Sequence, residues 1–223
     1  MNESPDKLLI YHHLGLGDHI ICNAIVRTAF ERHGPLYLFV KEPFYKSIQD
    51  LYKDIDIKLI KVQNDSDCYK FFKEYKVLVI GFSNTRFPHW EKSFYDQVGI
   101  DYSLRFSKFF IKRDYKREAA LEEKLNLPDQ FAFCNNSCSS GVLDFEFNTK
   151  LEKVMLSSLT DSIFDWIGVL SKAKEIHTLD SSIFHLVKQL DLKCDKFLYD
   201  SQSLDSTRQP FTLDNQSWKV IDL

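Results

Sequence analysis

A carboxylate stands at the lip of a glycine turn in Leu14-Gly15-Leu16-Gly17-Asp18-His19-Ile20. Glycine tolerates positive φ and bears no Cβ, so Gly15 and Gly17 let the backbone turn tightly and lie against a bound molecule. Asp18 occupies the place where a helix N-cap is expected. A second group lies far along the chain, at Asp180, Ser181, Ser182 and His185. Hydroxyls and backbone N–H groups at the start of a helix, where the macrodipole favours negative charge, suit a phosphate or diphosphate.

Both groups need a strand and a helix to hold them. Leu8 to Tyr11 is a short apolar run of strand length, and Ile20, Ile21, Ala24, Ile25, Thr28 and Ala29 recur at helical spacing behind Asp18. Strands are expected at Lys7–His12, Pro35–Lys41, Ile57–Val62, Lys76–Phe82, Phe131–Asn135, Lys153–Leu156, Glu175–Leu179, Lys196–Tyr199 and Lys219–Ile221. Helices are expected at Asp18–Arg32, Phe44–Tyr52, Ser66–Tyr75, Trp90–Val98, Tyr115–Leu125, Ser162–Lys172 and Ser181–Leu190. This alternation predicts an α/β protein with parallel sheets, whose ligands bind outside the carboxyl ends of the strands. A charged segment from Lys112 to Pro128 interrupts the alternation. The expected organisation is two Rossmann-like lobes facing a cleft: 1–114, a connecting helix over 115–128, and 129–223.

Composition narrows the class. The chain has 223 residues, 44% of them hydrophobic, with 19 Phe and a formal net charge of −3. That charge gives no sign of a nucleic-acid-binding surface. The polar MNESPDK start does not read as a signal peptide, and no apolar run reaches the ~18–20 residues that span a bilayer. A cytoplasmic protein is expected, peripheral to the membrane at most. The five cysteines are odd in number and scattered, which argues for reduced thiols; Cys134 and Cys138 alone lie close together, too few ligands for a zinc site.

The pairing of LGLGDHI with DWIGVLSKAKEIHTLDSSIFHL, Asp165 to Leu186, resembles the ADP-heptose:lipopolysaccharide heptosyltransferase family, and more loosely GT-B glycosyltransferases. The resemblance implies that Asp18 is the catalytic base. It also implies that Asp180, Ser181, Ser182 and His185 lie at the donor diphosphate. The activity it implies is inverting, metal-independent transfer of a sugar from a nucleoside-diphosphate donor to a glycan or lipid-linked glycan acceptor, with no cofactor. The first lobe would serve the acceptor and the second the donor. Two departures stand out. The chain is shorter than full members usually are, and the turn Cys134–Gly141 (CNNSCSSG) is neutral where relatives often place a Lys or Arg. Lys150 and Arg208 are the substitutes on offer.

Other residues extend or compete with this reading. His12, His13 and His19 crowd the first turn, but neighbouring strand residues face opposite ways, so His12 and His13 do not converge on one metal ion. His13 is expected to line the site and hydrogen-bond substrate. The segment from Arg86 to Asp114 offers Arg86, His89, Trp90, Tyr95, Arg105 and Arg113, of which Arg86, past the carboxyl end of a strand, is the best placed for substrate. Asp65-Ser66-Asp67 keeps open a metal-dependent DxD transferase, although helix capping accounts for both aspartates. A non-catalytic or partner-dependent nucleotide-sugar-binding protein is the further alternative. A dinucleotide oxidoreductase fits less well, since Ile20 stands where GxGxxG needs Gly or Ala.

Overall fold

The computed structural model describes residues 7–86, 89–200 and 218–223. The chain divides into two compact units, Met1–Lys112 and Arg113–Leu223. Among the described residues no helix is long and apolar enough to cross a membrane.

The first unit is built on β1 (Leu8–Tyr11), β2 (Leu36–Lys41), β3 (Ile57–Val62) and β4 (Lys76–Val79), ordered β3-β2-β1-β4. All pairings are parallel, with Leu8 opposite Leu36 on one side and Lys76 on the other. β1 is central and wholly buried, as its unbroken apolar run requires, whereas β4 at the edge is only partly covered. Its helices are α1 (Leu16–Ile21), α2 (Asn23–His33), α3 (Tyr45–Leu51), α4 (Asp65–Cys68), α5 (Trp90–Gln97) and α6 (Leu104–Ser107). The single helix expected from Asp18 to Arg32 is therefore two, and it begins at Leu16. The break falls at Cys22, where the Tyr95 hydroxyl donates to the Ile21 carbonyl at 2.6 Å and draws it out of the helical ladder. β4 stops at Val79, short of the expected Phe82, because Gly81 and Phe82 take φ of 90° and 55° and turn the chain away.

The second unit opens with α7 (Tyr115–Leu125), capped by the Asp114 carboxylate accepting from the Arg117 N–H at 3.1 Å and closed by Asn126 in the left-handed region. Strands β5 (Phe131–Asn135), β8 (Glu152–Met155), β9 (Glu175–Leu179), β10 (Asp195–Asp200) and β11 (Trp218–Asp222) form a parallel sheet ordered β11-β10-β9-β5-β8. The neutral turn after β5 is a small antiparallel hairpin, β6 (Ser137–Cys138) with β7 (Gly141–Val142), which the sequence pattern does not reveal. Helices α8 (Ile167–Lys172) and α9 (Ser182–Val187) complete the unit. α7 packs on α8 at Gly168, where an added Cβ would stand 2.5 Å from Glu122 Oε1. Arg117 bridges from α7 to Asp165 at 2.7 Å. The charged helix is thus a member of the second unit.

Candidate functional site

Each sheet has one place where the chain reverses its order, and ligands of open α/β sheets bind in the crevice outside the strand ends there. In the first unit the chain runs outward from β1 through β2 to β3 and then returns to β4 on the other side of β1. In the second it leaves β5 for β8 and returns to β9. Both residue groups singled out by the sequence lie at these two places.

At the first, Gly15 is the N-cap of α1 with φ −71° and ψ 148°, and Gly17 is its second helical residue. Neither uses positive φ, contrary to expectation, and Asp18 is not the cap: it is the third residue of the helix. The reason for glycine at position 15 is space, since a Cβ there would lie 2.5 Å from Asp18 Oδ2. The carboxylate therefore folds back over the start of its own helix, where the dipole favours it. Behind it His12 and His19 are fully buried, with ring centroids 4.5 Å apart. Burial pushes His12 down to about 4 and His19 well below the ordinary imidazole range, so both are neutral structural groups.

His13 is half-buried. Its Nε2 accepts from the Phe82 N–H at 3.0 Å, and its ring lies 4.3 Å from that of Phe82. This ring nitrogen of His13 is thus committed to the loop after β4. Burial lowers the pKa of His13, and the Asp65 carboxylate acts in the opposite direction. Arg86, further along the loop, is exposed, with its N–H donating to Ser93 Oγ at 3.2 Å. Of the other side chains offered by the central segment, Tyr95 is buried on Ile21 and Arg105 is buried in an ion pair with Glu91. Arg113 pairs with Glu118. These three are packing and pairing groups. The DxD residues are helix-start residues: Asn64 caps α4 and Asp67 completes a capping box while pairing with Lys70 at 2.6 Å.

At the second place Ser181 is the N-cap of α9, with extended backbone, yet no side chain caps the helix. Its hydroxyl is engaged elsewhere. Asn135, the last residue of β5, shares the two N–H groups of its Nδ2 among Ser181 Oγ at 3.0 Å, Thr178 Oγ1 at 3.1 Å and the Ser137 carbonyl at 3.0 Å. Thr178 Oγ1 lies 3.3 Å from Ser181 Oγ. Sequence reasoning misses Asn135 and Thr178; an amide ending a buried apolar strand is the available signal. Ser182 follows as the first helical residue and is partly exposed, and Asp180 Oδ1 lies 3.3 Å from His185 Nε2. His185 is buried against Phe184. Lys150 precedes β8, and parallel pairing of Phe131 with Glu152 places it at the opposite end of the sheet from Ser181. Arg208 lies outside the described residues. Among those residues, the segments leaving β5, β8 and β9 bring no Lys or Arg to this end.

Neither a family model nor a curated protein matches the sequence. Solved structures do match the fold. A family 9 glycosyl transferase from Veillonella parvula aligns with a TM-score of 0.61 at 10% identity, covering 99% of this chain and 88% of its own. ADP-heptose LPS heptosyltransferase II of E. coli aligns with a TM-score of 0.54 at 11% identity, covering 96% and 90%. This chain has the fold of those glycosyltransferases. The iron-containing dodecameric glycosyltransferase TibC of enterotoxigenic E. coli aligns at 0.53 and 11% identity, with 95% of this chain on 63% of that one. At such identities the likeness is one of architecture. It agrees with the α/β reading and with two parallel sheets.

Proposed function

We propose that the protein is an inverting glycosyltransferase that moves a sugar from a nucleoside-diphosphate donor to a hydroxyl of a glycan or lipid-linked glycan, without a metal ion. The first unit takes the acceptor and the second the donor. The observation that supports this reading most is the start of α9, left without a side-chain cap because Asn135 holds the Ser181 hydroxyl. Backbone N–H groups aimed at a diphosphate are worth most as that group leaves and gains charge, and a preorganised donor of this kind supplies about 3 kcal/mol. Ser181 and Ser182 add hydroxyls, and Asp180 and His185 complete the donor phosphate end.

Asp18 acts as the base. As the acceptor oxygen attacks the anomeric carbon, its proton passes to the Asp18 carboxylate, the bond from that carbon to the diphosphate oxygen breaks, and the electron pair leaves with the diphosphate. Attack opposite the leaving group inverts the centre. The loop from Gly81 to Arg86 contributes Arg86 as the cation for substrate, and Gly15 and Gly17 allow the approach of the acceptor. A binding-only protein is the second reading, favoured by the absence of Lys and Arg from the described segments at the α9 end.

The test is thermal stabilisation by ADP, GDP, UDP and CMP and by their sugar conjugates, with Mg²⁺ and with EDTA, followed by nucleotide release with candidate acceptors. A ligand at 100 times its Kd adds about 2.7 kcal/mol and raises Tm by several degrees. Stabilisation by one nucleoside diphosphate in EDTA, with release abolished by Asp18→Asn, supports transfer. Stabilisation without release by any sugar conjugate selects the binding-only reading. Dependence on Mg²⁺ overturns the metal-independent mechanism.

A further inference from the structure

The loop that leaves β4 contains a bulky residue in a conformation that L-residues avoid. Phe82 has φ +55°; the other non-glycine residue at positive φ among those described is Asn126, which ends a helix, where that conformation is common. An aromatic side chain gains nothing local from the left-handed region, so the surroundings must impose it. They are unusually specific. Gly81 precedes it at φ +90°, donating its N–H to Gln97 Oε1 at 2.8 Å, while Gln97 Nε2 donates to the Asn84 carbonyl at 3.0 Å. The Phe82 N–H donates to His13 Nε2 at 3.0 Å. The Phe82 ring lies 4.3 Å from the imidazole and 4.7 Å from Tyr11. The imidazole also abuts the Gly81 backbone: a Cβ there would stand 2.7 Å from His13 Cδ2 and 2.8 Å from Nε2. These contacts join the segments after β1 and β4, the two strands that bound the reversal point of the first sheet.

We propose that His13 is a positioning residue: protonated at Nδ1 alone, it holds Phe82 in its strained conformation through Nε2 and so fixes the Gly81–Arg86 loop beside the Asp18 turn, and a second proton on the ring releases that loop. An imidazolium has no lone pair at Nε2, so its N–H would point at the Phe82 N–H and the contact would be lost. Burial favours the neutral ring, which keeps the clamp closed at neutral pH and moves its opening to the acid side of the ordinary histidine value. The charge acting against this is Asp65 at the start of α4, itself 3.6 Å from Lys41 Nζ and accepting from the Tyr11 hydroxyl at 3.4 Å. From its own turn the ring neighbours His12, which is neutral, and from α5 it meets Phe94 at 5.8 Å and, across Gly81, Gln97, both uncharged. The importance of the clamp to substrate rests on the transferase reading, because Arg86 is proposed to act from this loop.

Hydrogen–deuterium exchange of the full-length protein tests the clamp without any substrate. Exchange in the 81–86 segment is followed from pH 7.5 to 5 and corrected for the intrinsic rate, in the wild type, His13→Gln and His13→Leu. Gln places an acceptor near the position of Nε2 but does not titrate; Leu has no acceptor. The wild type is expected to lose at least tenfold protection over this range, His13→Gln to keep its protection at every pH, and His13→Leu to be unprotected throughout, with β1 and β2 protected in all three. The proposal is overturned if wild-type protection in the segment is independent of pH, if His13→Gln loses protection in acid as the wild type does, if His13→Leu is as protected as the wild type, or if the segment at pH 5 is as protected as β1 and β2, so that it opens only when the whole unit unfolds. None of these outcomes bears on nucleotide release, so failure of the clamp and failure of the transferase reading are separate results.

Discussion

Asp18 is held by its own helix start, with Gly15 opening the space its carboxylate fills. That placement separates its structural contribution from the catalytic role proposed for it. An acid in the first turn adds about 0.3–1 kcal/mol through the helix dipole, whereas a general base contributes about 10²–10⁴-fold to rate. Asp18→Asn is therefore expected to lower kcat for transfer by two to four orders of magnitude while Tm falls by a few degrees at most and nucleotide still stabilises the fold; calorimetry and a nucleotide-release assay check both. Asp18 and Ser181 were legible in the sequence because each stands next to its glycine or serine neighbours at a strand–helix junction. Asn135 was not, since its hydrogen bond to Ser181 spans 46 residues. Arg105 misled for the same reason: arginine in an aromatic segment looks like a ligand for anions until Glu91, on another helix, is seen to neutralise it.

At the scale of helices and turns, the two ends depend on their caps being withheld or filled by the right group. Asn135→Ala frees the Ser181 hydroxyl to accept from the first amides of α9, an N-cap worth about 1 kcal/mol. Nucleotide then competes with that cap, and its Kd is expected to rise about fivefold with Tm little changed, as titration calorimetry would show. The two tight glycines respond differently. Gly81 sits at φ +90° against the His13 ring, so Gly81→Ala is expected to cost about 1–3 kcal/mol in urea unfolding. Gly15 has φ −71°, which alanine accepts; there the new methyl group displaces the Asp18 carboxylate, and activity falls more than stability. Phe131–Asn135 was readable because a buried parallel strand is an apolar run between turn residues, whereas the edge strand Ile57–Val62 showed itself by Ile, Leu and Val interspersed with Lys, and Glu175–Leu179 by Ile, Thr and Leu between turn residues. The hairpin of β6 and β7 was not, being too short to show alternation.

Across the whole molecule, the buried imidazoles set the response to acid. His12 is lowered to about 4, His19 is held well below the ordinary imidazole value, and His177, between Tyr199 and Glu175, is lowered mainly by burial. The unfolded chain takes up protons on these rings near pH 6.5, before the folded chain does, so their contribution to stability is complete above that pH and is lost as pH falls towards the folded values. Each pH unit that separates the folded from the unfolded pKa is worth about 1.36 kcal/mol, so His12 alone accounts for roughly 3 kcal/mol between pH 6.5 and 4. Urea midpoints are expected to be flat from pH 8 to 7 and to fall steadily below 6.5; a midpoint unchanged at pH 5 contradicts this.

The division at Lys112 and Arg113 has a consequence for the birth of the protein. Every strand of the first sheet finds its partners within the residues before that boundary, and every strand of the second within those after it. A ribosome adding about 5–20 residues per second finishes the first unit several seconds before the last strand of the second emerges. The slow, long-range pairing of one parallel sheet is thereby completed before the apolar strands of the other are available to compete for it.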